Sequence, residues 1–89
     1  MARLEMNETY DGRFASYEVS AEALFDLGMM YCIGRDVAQD YVTAHKWFNL
    51  AAIRGNDAAK EYRREISREM TSAQIAEAQR EARAWMTVH

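Results

Sequence analysis

The chain has 89 residues, of which 49% belong to the hydrophobic set and 28% are charged, and its formal net charge is −3. This apolar fraction is too high and the net charge too small for a disordered chain, and no apolar run approaches the ~20 residues that span a bilayer. We therefore expect one small folded domain without a membrane-spanning segment.

Residues 1–19 form a segment with apolar side chains but a weak helical pattern. Three aromatic side chains are spaced i, i+4 and i+7, as on one face of a helix, but Gly12 weakens that helix because glycine loses more conformational freedom on folding than other residues. We expect this segment to cover the helix that follows it. Its apolar side chains are Leu4, Met6, Tyr10, Phe14 and Tyr17.

The first helix is predicted over residues 21–33. Ser20 is a suitable N-cap, and Gly34 can adopt the left-handed conformation that ends helices at little steric cost. One face of the helix follows the apolar spacing i, i+3, i+4 and i+7, and we expect this face to contact the core. It consists of Leu24, Leu27, Gly28 and Tyr31.

The same helix is apolar on a second side, and Glu22 and Asp26 are its only charged residues. A helix that is hydrophobic all round is a buried helix, so something must cover this side. Residues 1–19, a second copy of the chain or another protein could each do so. An uncovered part would form a docking patch, for which flexible methionine side chains are well suited. The predicted patch is Phe25, Met29, Met30 and Ile33.

The second helix is predicted between Asp40, an N-cap residue type, and Gly55. Its apolar face mixes small alanines with large aromatic rings, so a neighbouring helix can approach closely while the rings fill the remaining volume. The loop over residues 34–39 is short enough to force the first two helices into an antiparallel hairpin. The apolar face consists of Tyr41, Ala44, Trp47, Phe48, Ala51 and Ala52.

Two further helices are predicted in the C-terminal part of the chain. The third spans about residues 57–70, and its remaining faces are charged. The fourth begins at Thr71, which forms a capping-box pattern with Gln74. The apolar stripes are Ala59, Tyr62, Ile66 and Met70 on the third helix, and Ile75, Ala78, Ala82 and Trp85 on the fourth.

Within residues 21–55, small, aromatic and glycine positions follow one another in a fixed order. These positions are Ala23, Leu27, Gly28, Tyr31, Gly34, Val37, Asp40, Ala44, Trp47, Ala51, Ala52 and Gly55. Their order resembles the Sel-one-like repeat, a relative of the tetratricopeptide repeat. One departure is Asp36, where the family usually has a second glycine, although aspartate tolerates left-handed backbone better than most residues.

The resemblance implies an all-α fold of two antiparallel helical hairpins in series, a short α-solenoid with tetratricopeptide-like right-handed stacking. We expect residues 1–19 to be an N-terminal segment and residues 20–89 a single helical-repeat domain. Within this domain, residues 20–55 form the complete repeat and residues 56–89 a diverged terminal hairpin. The charged faces of that hairpin suit the end of an array, where the outer surface must be polar.

Cys32, Asp40 and His45 are the residue types of a thiol-nucleophile triad, but the sequence does not support such a site. Cys32 has apolar neighbours and is expected to be buried and inert. His45 lies beside Lys46 on the predicted polar side of the second helix, so we expect it to be exposed. One cysteine and two histidines are too few for a zinc site. We therefore expect no catalytic residues, no metal and no cofactor.

The sequence pI is near 5.3, whereas nucleic-acid binders carry a basic patch, so we expect neither a nucleic-acid nor a membrane partner. The first eight residues contain acids and no apolar core segment. A secretory signal is therefore not expected, and the protein is predicted to be cytoplasmic.

Sel-one-like repeat proteins generally act as scaffolds that hold other proteins together. The resemblance therefore implies a protein-protein interaction module. From the compactness of the chain we further expect a small bacterial adaptor that binds a protein or peptide through its first two helices. The alternative is a self-associating structural accessory, in which a homodimer or larger homo-oligomer buries the apolar face. A regulatory or enzymatic domain centred on Cys32 is a third class.

Overall fold

A computed structural model describes residues 19–88, which form four α-helices and no strand. The helices are α1 (Ala21–Ile33), α2 (Tyr41–Ile53), α3 (Asp57–Ser67) and α4 (Ser72–Val88). The predicted all-α helical-repeat fold is confirmed. Within the described range, no helix is both long and apolar enough to cross a bilayer. The prediction that residues 1–19 cover the first helix lies outside the described residues, apart from Val19.

Side chains at the helix starts bind backbone N–H groups that have no partner within the helix. Ser20 caps α1 and Asp40 caps α2, each through a side-chain oxygen that accepts a hydrogen bond from the third residue beyond it. At the start of α4, Thr71 and Gln74 exchange both bonds of a capping box, at 3.1 and 2.9 Å. The predicted starts of these helices are therefore confirmed.

The connection between α1 and α2 needs left-handed backbone at two positions. Gly34 has φ 76°, and its N–H donates to the Met30 carbonyl at 2.8 Å, which ends α1. Asp36 has φ 65°, so this aspartate does adopt the conformation that the repeat's loop requires. The N–H of Asp40 donates to the Tyr31 carbonyl at 2.9 Å, which turns the chain back beside α1.

The central helix of the fold is α2, because α1, α3 and α4 each pack extensively against it. Phe48 on α2 is fully buried and lies directly over Gly28 of α1. Alanines on three helices allow the backbones to approach closely around this ring. The fully buried apolar residues are Leu24, Ala44, Phe48, Leu50, Ala51, Ala59, Ala78 and Ala82.

Half-buried side chains complete the core at its rim. Tyr31 and Trp47, which lie on the predicted apolar faces, pack against the core, and the largest fully buried side chains are Phe48, Leu24 and Leu50. The end of the third helix differs from the prediction, because α3 ends at Ser67 rather than near residue 70. Beyond Ser67 the N–H groups donate to carbonyls three residues back, which is a tighter turn than an α-helix. No glycine or proline marks this end in the sequence.

Candidate protein-binding surface

One side of α1 has no extensive helical neighbour among residues 19–88, where α1 packs extensively against α2 alone. On this side Met29 and Met30 are half-buried, and Ile33 is 56% exposed. Met29 packs against the buried core, whereas half-buried Met30 does not. We call the surface formed by Met29, Met30 and Ile33 the α1 edge.

Phe25, the fourth residue of the predicted patch, has a different environment. Its ring centre lies 5.7 Å from that of Phe48 and 5.6 Å from that of Tyr62. Phe48 and Tyr62 are themselves stacked at 5.6 Å. Aromatic pairs at such separations stabilise a core beyond the area that they bury. Phe25 therefore joins α1 to α2 and α3, and it borders the α1 edge rather than forming its centre.

The residues of the predicted repeat signature occupy packing and turn positions. The buried members let helices approach closely, the half-buried ones lie at the rim of the core or in the loop, and the exposed ones stand at helix ends or on the outer side of α1. The buried members are Gly28, Ala44, Ala51 and Ala52; the half-buried ones Leu27, Tyr31, Gly34, Val37 and Trp47; the exposed ones Ala23, Asp40 and Gly55.

The prediction that His45 is exposed is wrong, because α3 covers its side of α2 and leaves only 3% of the residue exposed. His45 Nε2 lies 3.1 Å from Ser67 Oγ. The Ser67 hydroxyl donates its proton to the Arg63 carbonyl at 2.7 Å, so Oγ accepts from a protonated Nε2. The Nδ1 atom of His45 has no hydrogen-bond partner among the described residues.

The environment of His45 keeps its ring neutral. Burial lowers the pKa of His45, and the positive charge of Arg63 lowers this pKa further. The Arg63 guanidinium also donates to Asn49 Oδ1 at 2.7 Å, which holds it beside α2. The hydrogen bonds of His45 with Ser67 and of Arg63 with Asn49 join α2 to α3.

The three residue types of a thiol-nucleophile triad are not brought together. His45 bonds to Ser67, and Asp40 accepts hydrogen bonds from the N–H and hydroxyl of Thr43 at the start of α2. Cys32 is half-buried, and burial raises the pKa of its thiol, which disfavours the reactive thiolate. Over residues 19–88 no group of three or more His, Cys, Asp or Glu side chains could hold a metal ion.

The sequence analysis missed a groove between α2 and α4. It has a volume of about 340 Å³ and lies beside Trp85, whose ring stands edge-on to that of Trp47 at 5.8 Å. The sequence holds one signal for this contact, since Ala44 and Trp47 recur at the same spacing as Ala82 and Trp85. The groove is lined by Lys46, Glu81, Ala84, Trp85 and Val88.

The antiparallel α1–α2 hairpin, closed where Phe48 lies over Gly28, defines the molecule as a helical-repeat protein. Residues 21–56 match the family described as Sel1 repeat. Residues 21–56 therefore form a Sel1 repeat, and the predicted resemblance is confirmed. The match covers α1, α2 and their loop, and it leaves α3 and α4 outside. No curated protein and no solved structure matches the chain.

Proposed function

We propose that the chain is a small adaptor that docks a partner protein or peptide on the α1 edge and has no catalytic chemistry of its own. The observation that carries the proposal is the Sel1 repeat over residues 21–56, because such repeats generally mediate protein-protein interaction. The α1 edge belongs to that repeat.

Two features favour the α1 edge over the opposite end of the molecule. Its methionine side chains are flexible and polarizable, which suits contact with a partner of imperfect shape. The outer face of α3, in contrast, carries three ion pairs between residues three apart, and all six side chains are more than half exposed. A charged face of this kind is stable in water and needs no covering.

The proposal is tested with glutamate substitutions on the full chain. Met30→Glu combined with Ile33→Glu places two charges on the α1 edge without touching the core. Ile53→Glu is the matched control, because Ile53 stands at the end of α2 with 59% exposure, close to the 56% of Ile33. Partners are isolated by cross-linking in cells of the source organism, purified, and titrated against each variant by calorimetry.

We expect the double variant to bind the purified partner at least about tenfold more weakly. A buried aliphatic side chain contributes about 1.5–3 kcal/mol to binding, and a glutamate in its place loses this contribution because burying its charge against an apolar partner is unfavourable. The Ile53→Glu variant should bind like the natural chain. Equal binding by all three proteins would exclude the α1 edge as the docking surface. A natural chain that is dimeric by light scattering, with a monomeric double variant, would instead support the self-associating accessory.

A further inference from the structure

The outward side of α1 carries two acidic side chains in line with the α1 edge. Residues three and four apart are neighbours on the surface of a helix. The buried residues of α1, Leu24 and Gly28, lie on the opposite side. We call the outward row of neighbours the outer stripe; it consists of Glu22, Asp26, Met29, Met30 and Ile33.

The outer stripe has an acidic half and an apolar half. Glu22 and Asp26 are both exposed, and they are the only charged residues of α1. The apolar half begins one turn after Asp26, and Ile33 lies about 16 Å beyond Glu22 along the helix axis. A partner that lies along the whole stripe therefore meets negative charge at one end and aliphatic side chains at the other.

Neither acid of the outer stripe forms an ion pair within the part of the chain that the structure describes. The acids of α3 differ in this respect. Asp57, Glu61 and Glu65 each lie 2.8–3.7 Å from a basic side chain three residues later. The charges of Glu22 and Asp26, unlike those on α3, are thus available to a cation of a partner.

A second copy of the chain does not complement the outer stripe. A two-fold axis brings the same surface against itself, so parallel stripes place Glu22 and Asp26 against the same two carboxylates. Antiparallel stripes place them against the aliphatic half, which leaves their charges without an opposite partner. A shifted contact through the α1 edge alone uses three side chains a copy, far fewer than the roughly 20–30 residues a side of a stable interface.

We infer that the partner of the outer stripe is a basic amphipathic helix. Two helices packed side by side repeat their contacts every three or four residues, which is the spacing of this stripe. The partner presents two Lys or Arg side chains, three or four residues apart, to Glu22 and Asp26. Its neighbouring apolar side chains cover the α1 edge. This inference rests on the proposed function, since it names the chemistry of the partner that docks there.

The two halves of the stripe have different tasks in this complex. The aliphatic half supplies the apolar area that is removed from water. The acidic half fixes the direction and register of the partner helix, because a reversed or shifted helix would place its cations against Met30 and Ile33. Direction and register are what an apolar patch of three side chains does not specify by itself.

The experiment first selects peptides on the full chain. A phage-displayed library of random peptides of about 20 residues, long enough to form a helix, is selected on the natural chain. Counter-selection on the variant with Met30→Glu and Ile33→Glu keeps only those peptides that need the α1 edge. We expect these peptides to carry two Lys or Arg residues three or four positions apart, beside an apolar cluster. The most enriched peptide is synthesised for calorimetric titration.

Charge reversal then tests the acids of the outer stripe. Glu22→Lys with Asp26→Lys should weaken binding of this peptide at least about tenfold, because repulsion replaces attraction. The matched control is Glu69→Lys with Glu77→Lys, which changes the net charge equally at two exposed acids outside α1. It should weaken binding less than about twofold, because a charge outside the contact is largely screened by salt.

A second variant covers the case in which lysines at the start of α1 destabilise the helix, whose N-terminus favours negative charge. Glu22→Gln with Asp26→Asn removes both charges without adding positive ones. It should give a loss of affinity between those of the control and the charge reversal.

The possible outcomes separate this inference from the proposed function. Selected peptides without a basic pair, or equal binding by the natural chain and both Glu22/Asp26 variants, would overturn the inference and leave the α1 edge as a docking surface. A library that yields no peptide dependent on the α1 edge would contradict the proposed function itself.

Two other occupants of the stripe would also overturn the inference. A natural chain that is dimeric by light scattering, and monomeric with Met30→Glu and Ile33→Glu, would assign the stripe to a second copy. A nitroxide label on Ile33→Cys, in a Cys32→Ser background, that removes the amide NMR signals of residues 1–18 would assign it to the N-terminal segment.

Discussion

Gly28 and Phe48 are in direct contact where α1 crosses α2. A Cβ atom on Gly28 would lie 2.5 Å from both Cδ1 and Cε1 of Phe48, and 3.1 Å from Cγ. Carbon atoms in folded proteins do not approach so closely, so the separation of the two helices depends on the missing side chain. The repeat's glycine thus lets α2 place a fully buried ring at the centre of the molecule.

We expect Gly28→Ala to destabilise the fold, because overpacking a core costs about 1–3 kcal/mol. The better helix propensity of alanine, worth about 1 kcal/mol, offsets part of this cost. Urea denaturation gives the change in the free energy of unfolding. In a Phe48→Leu background the same substitution should cost at least about 1 kcal/mol less, since neighbouring substitutions couple. Equal costs in the two backgrounds would show that the ring is not the obstacle.

The buried His45 predicts a loss of stability at mildly acidic pH. Its pKa in the folded chain is lower than its ordinary value of 6.5, so below about pH 7 the unfolded chain binds more protons than the folded one. The stability that depends on neutral His45 is therefore fully present above pH 6.5 and is lost as the pH falls towards the folded-state pKa. The loss is at most about 1.4 kcal/mol per pH unit.

This pH dependence is measured as the free energy of unfolding in urea between pH 7.5 and 5.5, a window that lies above the ordinary pKa values of carboxylates. His45→Gln is the control, because an amide side chain can still donate to Ser67 Oγ but does not titrate in this range. We expect a shallower pH slope for the variant than for the natural chain. Identical slopes would mean that His45 is not responsible.

The left-handed backbone at Asp36 predicts different changes in stability for two substitutions in the α1–α2 loop. Its φ of 65° is strained for a β-branched residue, so Asp36→Val should cost more than about 1 kcal/mol. Asp36→Gly should change the free energy of unfolding by less than about 1 kcal/mol, because two effects oppose each other. Glycine removes the strain of the left-handed backbone in the folded chain, but it gives the unfolded chain more conformational entropy. Thermal unfolding measures both. Arg35→Val is the matched control, and a similar loss there would argue against strain at residue 36.

The partly buried thiol of Cys32 is expected to react slowly. Because burial raises its pKa and the residue is only partly accessible, it should react with a chromogenic disulfide reagent several times more slowly in the native chain than in urea. The native rate should also continue to rise above pH 8.5, as for a thiol with a raised pKa. A native rate faster than the rate in urea at pH 7 would indicate an activated cysteine and would revive the enzymatic hypothesis.

The parts of the fold that were predictable from sequence depend on neighbouring residues in the chain. Ser20 and Asp40 cap helices through bonds to the third residue beyond, and Gly34 ends α1 through its own conformation. Each of these features lies within a few positions of its partner, so the local sequence is sufficient to predict it. The end of α3 at Ser67 has no such signal, and the prediction extended too far.

The parts that were wrong or missed depend on which helices meet. His45 was assigned to an outer surface from its position on a single helix, but α3 covers it. The contact of Phe25 with Tyr62 of α3 was not foreseen, and the place of Phe25 in the docking patch stays a prediction. The contact of Trp47 with Trp85 likewise joins residues far apart in sequence. Periodicity shows which face of a helix is apolar, but not how many neighbours will cover it.

The sequence by itself therefore determined the helices, their caps, the hairpin and the repeat family. Only the tertiary structure decided that α2 lies at the centre, that its imidazole is buried, and that a groove opens between α2 and α4. The physical reason is the range of the interactions. Helix formation and capping act over about four residues, whereas burial depends on close packing between segments that the chain brings together only when it folds.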